Sequence, residues 1–288
     1  MRLTAVIAMM GLISVGCSAA SETPGSTTTL VPDTTTTRAP SNEICLSGDL
    51  PFGPDGLIAA LGDDEGDATS VSQIRWDPSG TCERLTVAFG SVSDAPATTL
   101  GPSAVSVISY AGIVRAGLPA EVEASAVADT LVEGSLVSSV FVVRDQDGFM
   151  FIDIHGADEI PIQARAFTTT SPATLVIDIT RADTTATPVG VTKSGSVVII
   201  SPTPGPAPYP TVVDGYVEPG LLAVRVQVIE SDNAVVDRSV SVDGYHDTWQ
   251  SFTSMIEEGP LGTAVLFVGT LDGNEKPLDG AFVSITME

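Results

Sequence analysis

Positive charge is what this chain of 288 residues has least of. Its 12 Lys and Arg stand against 36 Asp and Glu, a formal net charge of −24. Nucleic-acid binding needs Lys and Arg to displace phosphate counterions, and docking of a fold on anionic lipid needs them as well, so both are disfavoured. Aromatic residues are scarce at 5%, which leaves Val, Ile, Leu and Ala to build the core. There is no Gly-x-Ser-x-Gly elbow, no His-Glu-x-x-His and no phosphate-binding glycine loop. With no such signature, the expectation is a protein without catalytic activity and without a cofactor. Long apolar runs are missing too. The most apolar stretch, Leu3 to Val15, is shorter than the ~20 residues that cross a bilayer core. What the chain does have is 43% hydrophobic residues, too many for a wholly disordered polymer.

The apolar stretch follows Arg2, which fits the pattern of an export signal. It ends in Ile13-Ser14-Val15-Gly16-Cys17, which resembles a bacterial lipobox, where a small residue precedes the Cys that takes lipid. This reading makes residues 1–16 a signal peptide and Cys17 the membrane anchor. The alternative is cleavage after Ser18-Ala19-Ala20, which releases a secreted protein. Residues 17–44 are rich in Thr, Ser and Pro, as in a solvated tether with no core of its own. Export also sorts the other cysteines. Cys45 and Cys82 form an even pair in an oxidising compartment, so a disulfide between them is expected. Closing the loop between them is worth ~4 kcal/mol on chain-entropy grounds.

From Cys45 onward the dominant hydrophobic period is two. Val71–Trp76, Arg84–Phe89, Ala104–Tyr110, Val137–Arg144, Phe149–His155, Ile162–Phe167 and Thr174–Thr180 read as strands, short and bounded by turn residues. The Asp-Gly of Asp147-Gly148 marks a hairpin between Val140–Arg144 and Phe149–Ile154. Pro54–Leu61 and Ala120–Leu131 carry enough helix formers to suggest helices. Residues 182–196 are polar and read as a second linker. Beyond them, Val197–Ile200, Thr211–Val217, Leu222–Glu230, Val235–Val242, Gln250–Ile256, Ala264–Leu271 and Ala281–Met287 suggest an immunoglobulin-like sandwich over 197–288. Trp249 and Phe252 are its expected large core residues. The fold class is therefore all-β, with two β domains at 45–181 and 197–288.

Candidate sites are few. Asp63, Asp64, Glu65 and Asp67 place hard oxygen ligands close together, as Ca²⁺ prefers, but their spacing is not that of an EF-hand loop and a solvated loop explains them. No metal is therefore expected. Tyr209, Tyr216, Tyr245 and Trp249 are the one aromatic cluster that suggests a ligand surface, with packing as the alternative. His155 and His246 fall in different expected domains.

Two resemblances add to this reading. Arg75-Trp76, Arg84-Leu85-Thr86-Val87-Ala88-Phe89 and Pro172 to Ile179 make the first domain similar to the AMIN-like domain of actinobacterial lipoproteins. Ile199-Ile200-Ser201-Pro202-Thr203-Pro204-Gly205, Val213 to Val217 and Asp272-Gly273 make the second similar to the immunoglobulin-like domain of bacterial spore-germination-associated and other envelope proteins. The resemblance implies a role in the cell envelope, with peptidoglycan or an envelope protein as partner and the membrane reached through lipid on Cys17. The other functions weighed are a wall hydrolase and an accessory scaffold of an envelope complex.

Overall fold

The computed structural model describes Cys45 and residues 49–79, 81–93, 95–157, 159–231 and 233–288. The export signal, Cys17 and the tether of residues 17–44 lie outside them. The described residues form twenty strands and no α-helix. Eleven precede the expected linker: β1 (Gly56–Leu61), β2 (Ser70–Ser79), β3 (Cys82–Gly90), β4 (Ser103–Ile108), β5 (Ile113–Gly117), β6 (Ala124–Ser125), β7 (Asp129–Leu131), β8 (Val137–Arg144), β9 (Met150–Gly156), β10 (Ile162–Thr169) and β11 (Thr174–Arg181). Nine follow: β12 (Thr192–Ser194), β13 (Val197–Ser201), β14 (Gly205–Ala207), β15 (Thr211–Val217), β16 (Ala223–Glu230), β17 (Asn233–Ser241), β18 (Trp249–Ile256), β19 (Gly262–Leu271) and β20 (Pro277–Met287).

Both suggested helices are strands instead. Leu57 to Leu61 pair antiparallel with β4 across a bulge, and Ala120–Leu131 contributes β6, parallel to β2, and β7, antiparallel to β8. The helix formers there sit on ladders whose pairing decides the conformation over local propensity. The expected linker carries β12, paired with β13, and it buries Ala182 and Pro188.

The strands make three sheets. The first runs β10-β11-β3-β2-β6 and the third runs β14-β20-β19-β16-β17. The second is longer and holds strands from both halves of the chain, in the order β1-β4-β5-β9-β8-β18-β15-β13-β12, with β7 also against β8. The halves meet where β8 and β18 pair in parallel, Trp249 beside Val143 and Gln250 beside Arg144. Upstream on the same edge of β8, Asp129 to Leu131 of β7 pair with Ser139 to Phe141. One strand edge is thus shared by two partners.

Alternation assigns the faces of this long sheet. Val114, Ala116, Val140, Val142, Ile152 and Ile154 enter one core with Leu85, Val87, Leu175 and Ile177 of the first sheet. Val197, Ile199, Val213, Val217, Phe252 and Ile256 enter a second core with Val226, Leu266 and Val283 of the third sheet. Because strand side chains alternate, the intervening residues face the other way. There Ile113, Phe141, Val143, Val198, Ile200, Tyr216 and Trp249 form a third apolar cluster, which straddles the seam between the halves. The molecule is two sandwiches that share their middle sheet.

The expected disulfide is present, with Cys45 and Cys82 joined and their Cα atoms 6.1 Å apart. Arg165 reinforces it, donating to the carbonyls of Cys45 and Leu50 while its Nε pairs with the buried Asp178. Arg84 grips the same carboxylate through both oxygens, at 2.6 and 2.9 Å.

Candidate functional site

A buried polar constellation lies on the seam. Arg115 of β5 donates through Nε and Nη2 to the two oxygens of Asp153 on β9, at 2.8 and 2.7 Å. The Tyr216 hydroxyl, from β15 in the other half, donates to Asp153 Oδ2 at 2.7 Å. Tyr216 has one proton and gives it to Asp153, so His155 must donate through Nε2 to the phenol oxygen, 2.7 Å away. That assigns the neutral Nε2–H tautomer. Burial pushes the His155 pKa down to about 4 against the opposing pull of the Asp153 charge, and the Lys193 and Arg115 charges add to the lowering. Burial, together with the Asp153 charge and hydrogen bond, raises the Tyr216 pKa well above its ordinary value. A His, an Asp and a Tyr in contact have the residue types of acid–base catalysis. Here each is buried and engaged with the others, which is the geometry of a structural lock.

Aromatic rings pack around the lock. Phe141 lies 4.9 Å from both His155 and Trp249, centroid to centroid, and Tyr216 lies 6.5 Å from Trp249. Trp249 Nε1 donates to Asp129 Oδ2 of β7 at 3.0 Å, a further tie across the seam. Of the four aromatics singled out in the sequence, Tyr216 and Trp249 therefore meet, inside the structure. Tyr245 stands apart, 41% exposed and stacked on Arg144 at 4.4 Å. Tyr209 is elsewhere, its hydroxyl donating to the Pro260 carbonyl at 3.0 Å.

Beside the lock the surface opens into a groove of about 540 Å³. Its walls carry Tyr110 and Phe149, 59% and 53% exposed, and the half-buried Phe151, over which the Arg115 guanidinium stacks at 4.2 Å. Its polar lining comes from Asp145, Asp214, Ser251 and Thr253. The reason is local. Phe149 follows Gly148, whose φ of +91° closes the hairpin, and Asp145 Oδ1 accepts the N–H groups of Asp147 and Phe149 to hold that turn. Tyr110 sits within the turn of residues 109–112 between β4 and β5. Neither Tyr110, Phe149 nor Phe151 stood out in the sequence, because strand-end aromatics read as core until the pairing is known.

The acidic loop does not gather ligands. Asp63, Asp64 and Glu65 are exposed, and Asp67 accepts the N–H groups of Thr98 and Thr99 at 2.8 Å each and the Thr98 hydroxyl at 2.9 Å. The Thr99 N–H chiefly, helped by Thr98, holds the Asp67 carboxyl below the usual carboxylate range. Asp67 staples the loop to its neighbour. Among the described residues no group of three His, Cys, Asp or Glu is placed to hold a metal ion, and no helix is long and apolar enough to cross a membrane. Set against protein-family models, curated proteins and solved structures, the chain has no match.

Proposed function

We propose that this is a non-enzymatic, lipid-anchored protein of the cell envelope whose seam groove holds an uncharged stretch of cell-wall polysaccharide. The observation that carries the reading is the groove wall. In a chain with so few aromatic residues, Tyr110 and Phe149 are both exposed on one concave surface, beside carboxylates and hydroxyls. Aromatic faces stack on the apolar faces of sugar rings while a few polar groups fix orientation. A polyanion fits poorly. The groove's one cation, Arg115, is already paired with Asp153, and the chain's net charge of −24 repels anionic polymer at long range. The same engagement supports a binding role over catalysis, since the Tyr216 proton and both Asp153 oxygens are committed to bonds within the lock.

The lipid on Cys17 supplies the membrane attachment, and the Thr-rich tether carries the sandwiches into the wall. Co-sedimentation with purified peptidoglycan tests the reading. The wild-type protein is expected to pellet at low and moderate salt, and Tyr110→Ala with Phe149→Ala to cut the bound fraction about tenfold with folding unchanged, as exposed substitutions move stability by only ~0.5 kcal/mol. Full retention of the double variant, or a wild type that stays in solution, overturns it.

A further inference from the structure

The groove has two neighbouring depressions. Tyr110 lines it on one side and also lines a second depression, of about 510 Å³, walled by Pro54, Asp55, Gln163 and Thr187. On the other side Asp145, Ser251 and Thr253 line both the groove and a third depression, of about 360 Å³, which contains Tyr245, Gln146 and Asp243. The groove thus borders two further concave surfaces through shared side chains.

The topology explains the passage to the third. β8 pairs with β18 only at Trp249 and Gln250, because β8 ends at Arg144 and turns at Asp145. From Ser251 onward, β18 has β15 on one edge and, among the described residues, no strand of the sheet on the other. The hairpin turn 145–148 and the free edge of β18 therefore flank a notch. By alternation Ser251 and Thr253 share the sheet face of Trp249, and the Thr253 hydroxyl donates to Asp214 of β15 at 2.8 Å.

We infer that the groove and its two neighbours form one track for an extended polysaccharide, bound along its length over several sugar units. The inference rests on the polysaccharide reading of the groove and adds the form of the ligand: an internal stretch of chain, not a chain end. Three features support it. An exposed ring stands in the central groove (Phe149), another at its border with the second depression (Tyr110), and another in the third depression (Tyr245). Acceptors recur along the whole path, with Asp55 and Gln163 in one depression, Asp145 and Asp214 in the groove, and Gln146 and Asp243 in the other. The cations near it are engaged, Arg115 by Asp153 and Arg144 by Asp247 and the Glu123 carbonyl, so the path favours a neutral chain with hydroxyl and amide donors for its carboxylates over an anionic one.

Calorimetric titration of the whole exported chain with N-acetylglucosamine oligomers, from disaccharide to octasaccharide, tests this. Affinity is expected to rise about tenfold or more with length and then to level off, as each filled depression adds contacts to an already tethered ligand. Tyr245→Ala is expected to lower octasaccharide affinity about tenfold and to leave the disaccharide unaffected. Phe149→Ala is expected to weaken both. Length-independent binding, or an octasaccharide indifferent to Tyr245→Ala, overturns the track and leaves the groove reading intact. Binding of a wall-derived peptide with no binding of any oligomer overturns both, and points to strand pairing on the free edge of β18.

Discussion

His155 shows what one buried residue contributes. It is neutral at pH 7, wedged between Phe141 and Tyr216, and its pKa is pushed down to about 4. In the unfolded chain a histidine titrates near 6.5, so the unfolded state takes up the proton first as pH falls. Stability is therefore complete above pH 6.5, declines between 6.5 and 4, and loses about 3 kcal/mol from this one group by the lower end. Replacing His155 with Gln keeps a donor to the Tyr216 oxygen and removes the titration. Denaturant unfolding across that window is expected to show a steeper acid loss in the wild type than in His155→Gln; parallel curves would show that His155 does not carry it. The sequence showed His155 at a strand end and showed nothing of its partners, since Tyr216 lies 61 residues away. Cys17 is the opposite case: its proposed lipidation rests on sequence context alone, and it lies outside the described residues. Labelled fatty acid is expected to enter the wild type and not Cys17→Ala.

At the scale of elements, period-two alternation was legible wherever a strand had one face in a core. β3, β8, β9, β11, β15, β16 and β18 all lie within a residue or two of where the pattern puts them. The hairpin between β8 and β9 was legible as well, because Asp145 and Gly148 serve one turn and nothing remote. β1, β6 and β7 were not, since their residues favour no strand and take up the conformation from the ladders they join. Least visible was the pairing of β8 with β18. Two residue pairs between segments about a hundred positions apart leave no periodic trace. Gly148 gives a test at this scale. An added Cβ meets nothing within 4 Å, so a substitution there is opposed by backbone conformation alone. Gly148→Ala is expected to destabilise by about 1 kcal/mol and lower the melting temperature by a few degrees. It should weaken sugar binding as well, because Asp145 and Phe149 both hang on that turn. An unchanged melting temperature would mean that the hairpin tolerates a different turn.

For the molecule as a whole, the decisive feature is that the seam is built like a core. One face of the middle sheet is covered by the first and third sheets, and the other holds Phe141, Tyr216 and Trp249 from both halves in one cluster. Polar ties cross at three further places: Tyr216 to Asp153, Trp249 to Asp129, and Asp247 to the Ser125 N–H and Arg144. Residues 182–196 run from the end of β11 to β13 and carry β12, and neither half closes its own surface. Residues 197–288 alone would bare Val198, Ile200, Tyr216 and Trp249, all buried in the whole chain, and leave the Tyr216 hydroxyl without its carboxylate. Exposing an apolar patch of that kind favours self-association. The intact chain is therefore expected to melt in one calorimetric transition, while the isolated 197–288 segment melts earlier, binds a hydrophobic dye and runs as an oligomer in gel filtration. Tyr216→Phe in the intact chain separates the two contributions. It keeps the ring packing and removes the donor to Asp153, leaving a buried carboxylate short of a partner, a change worth about 1–3 kcal/mol. If the halves were independent, that loss would shift only one of two resolved transitions. If the seam makes them one cooperative unit, the single transition moves down whole, and binding of the proposed polysaccharide is expected to weaken in step with it.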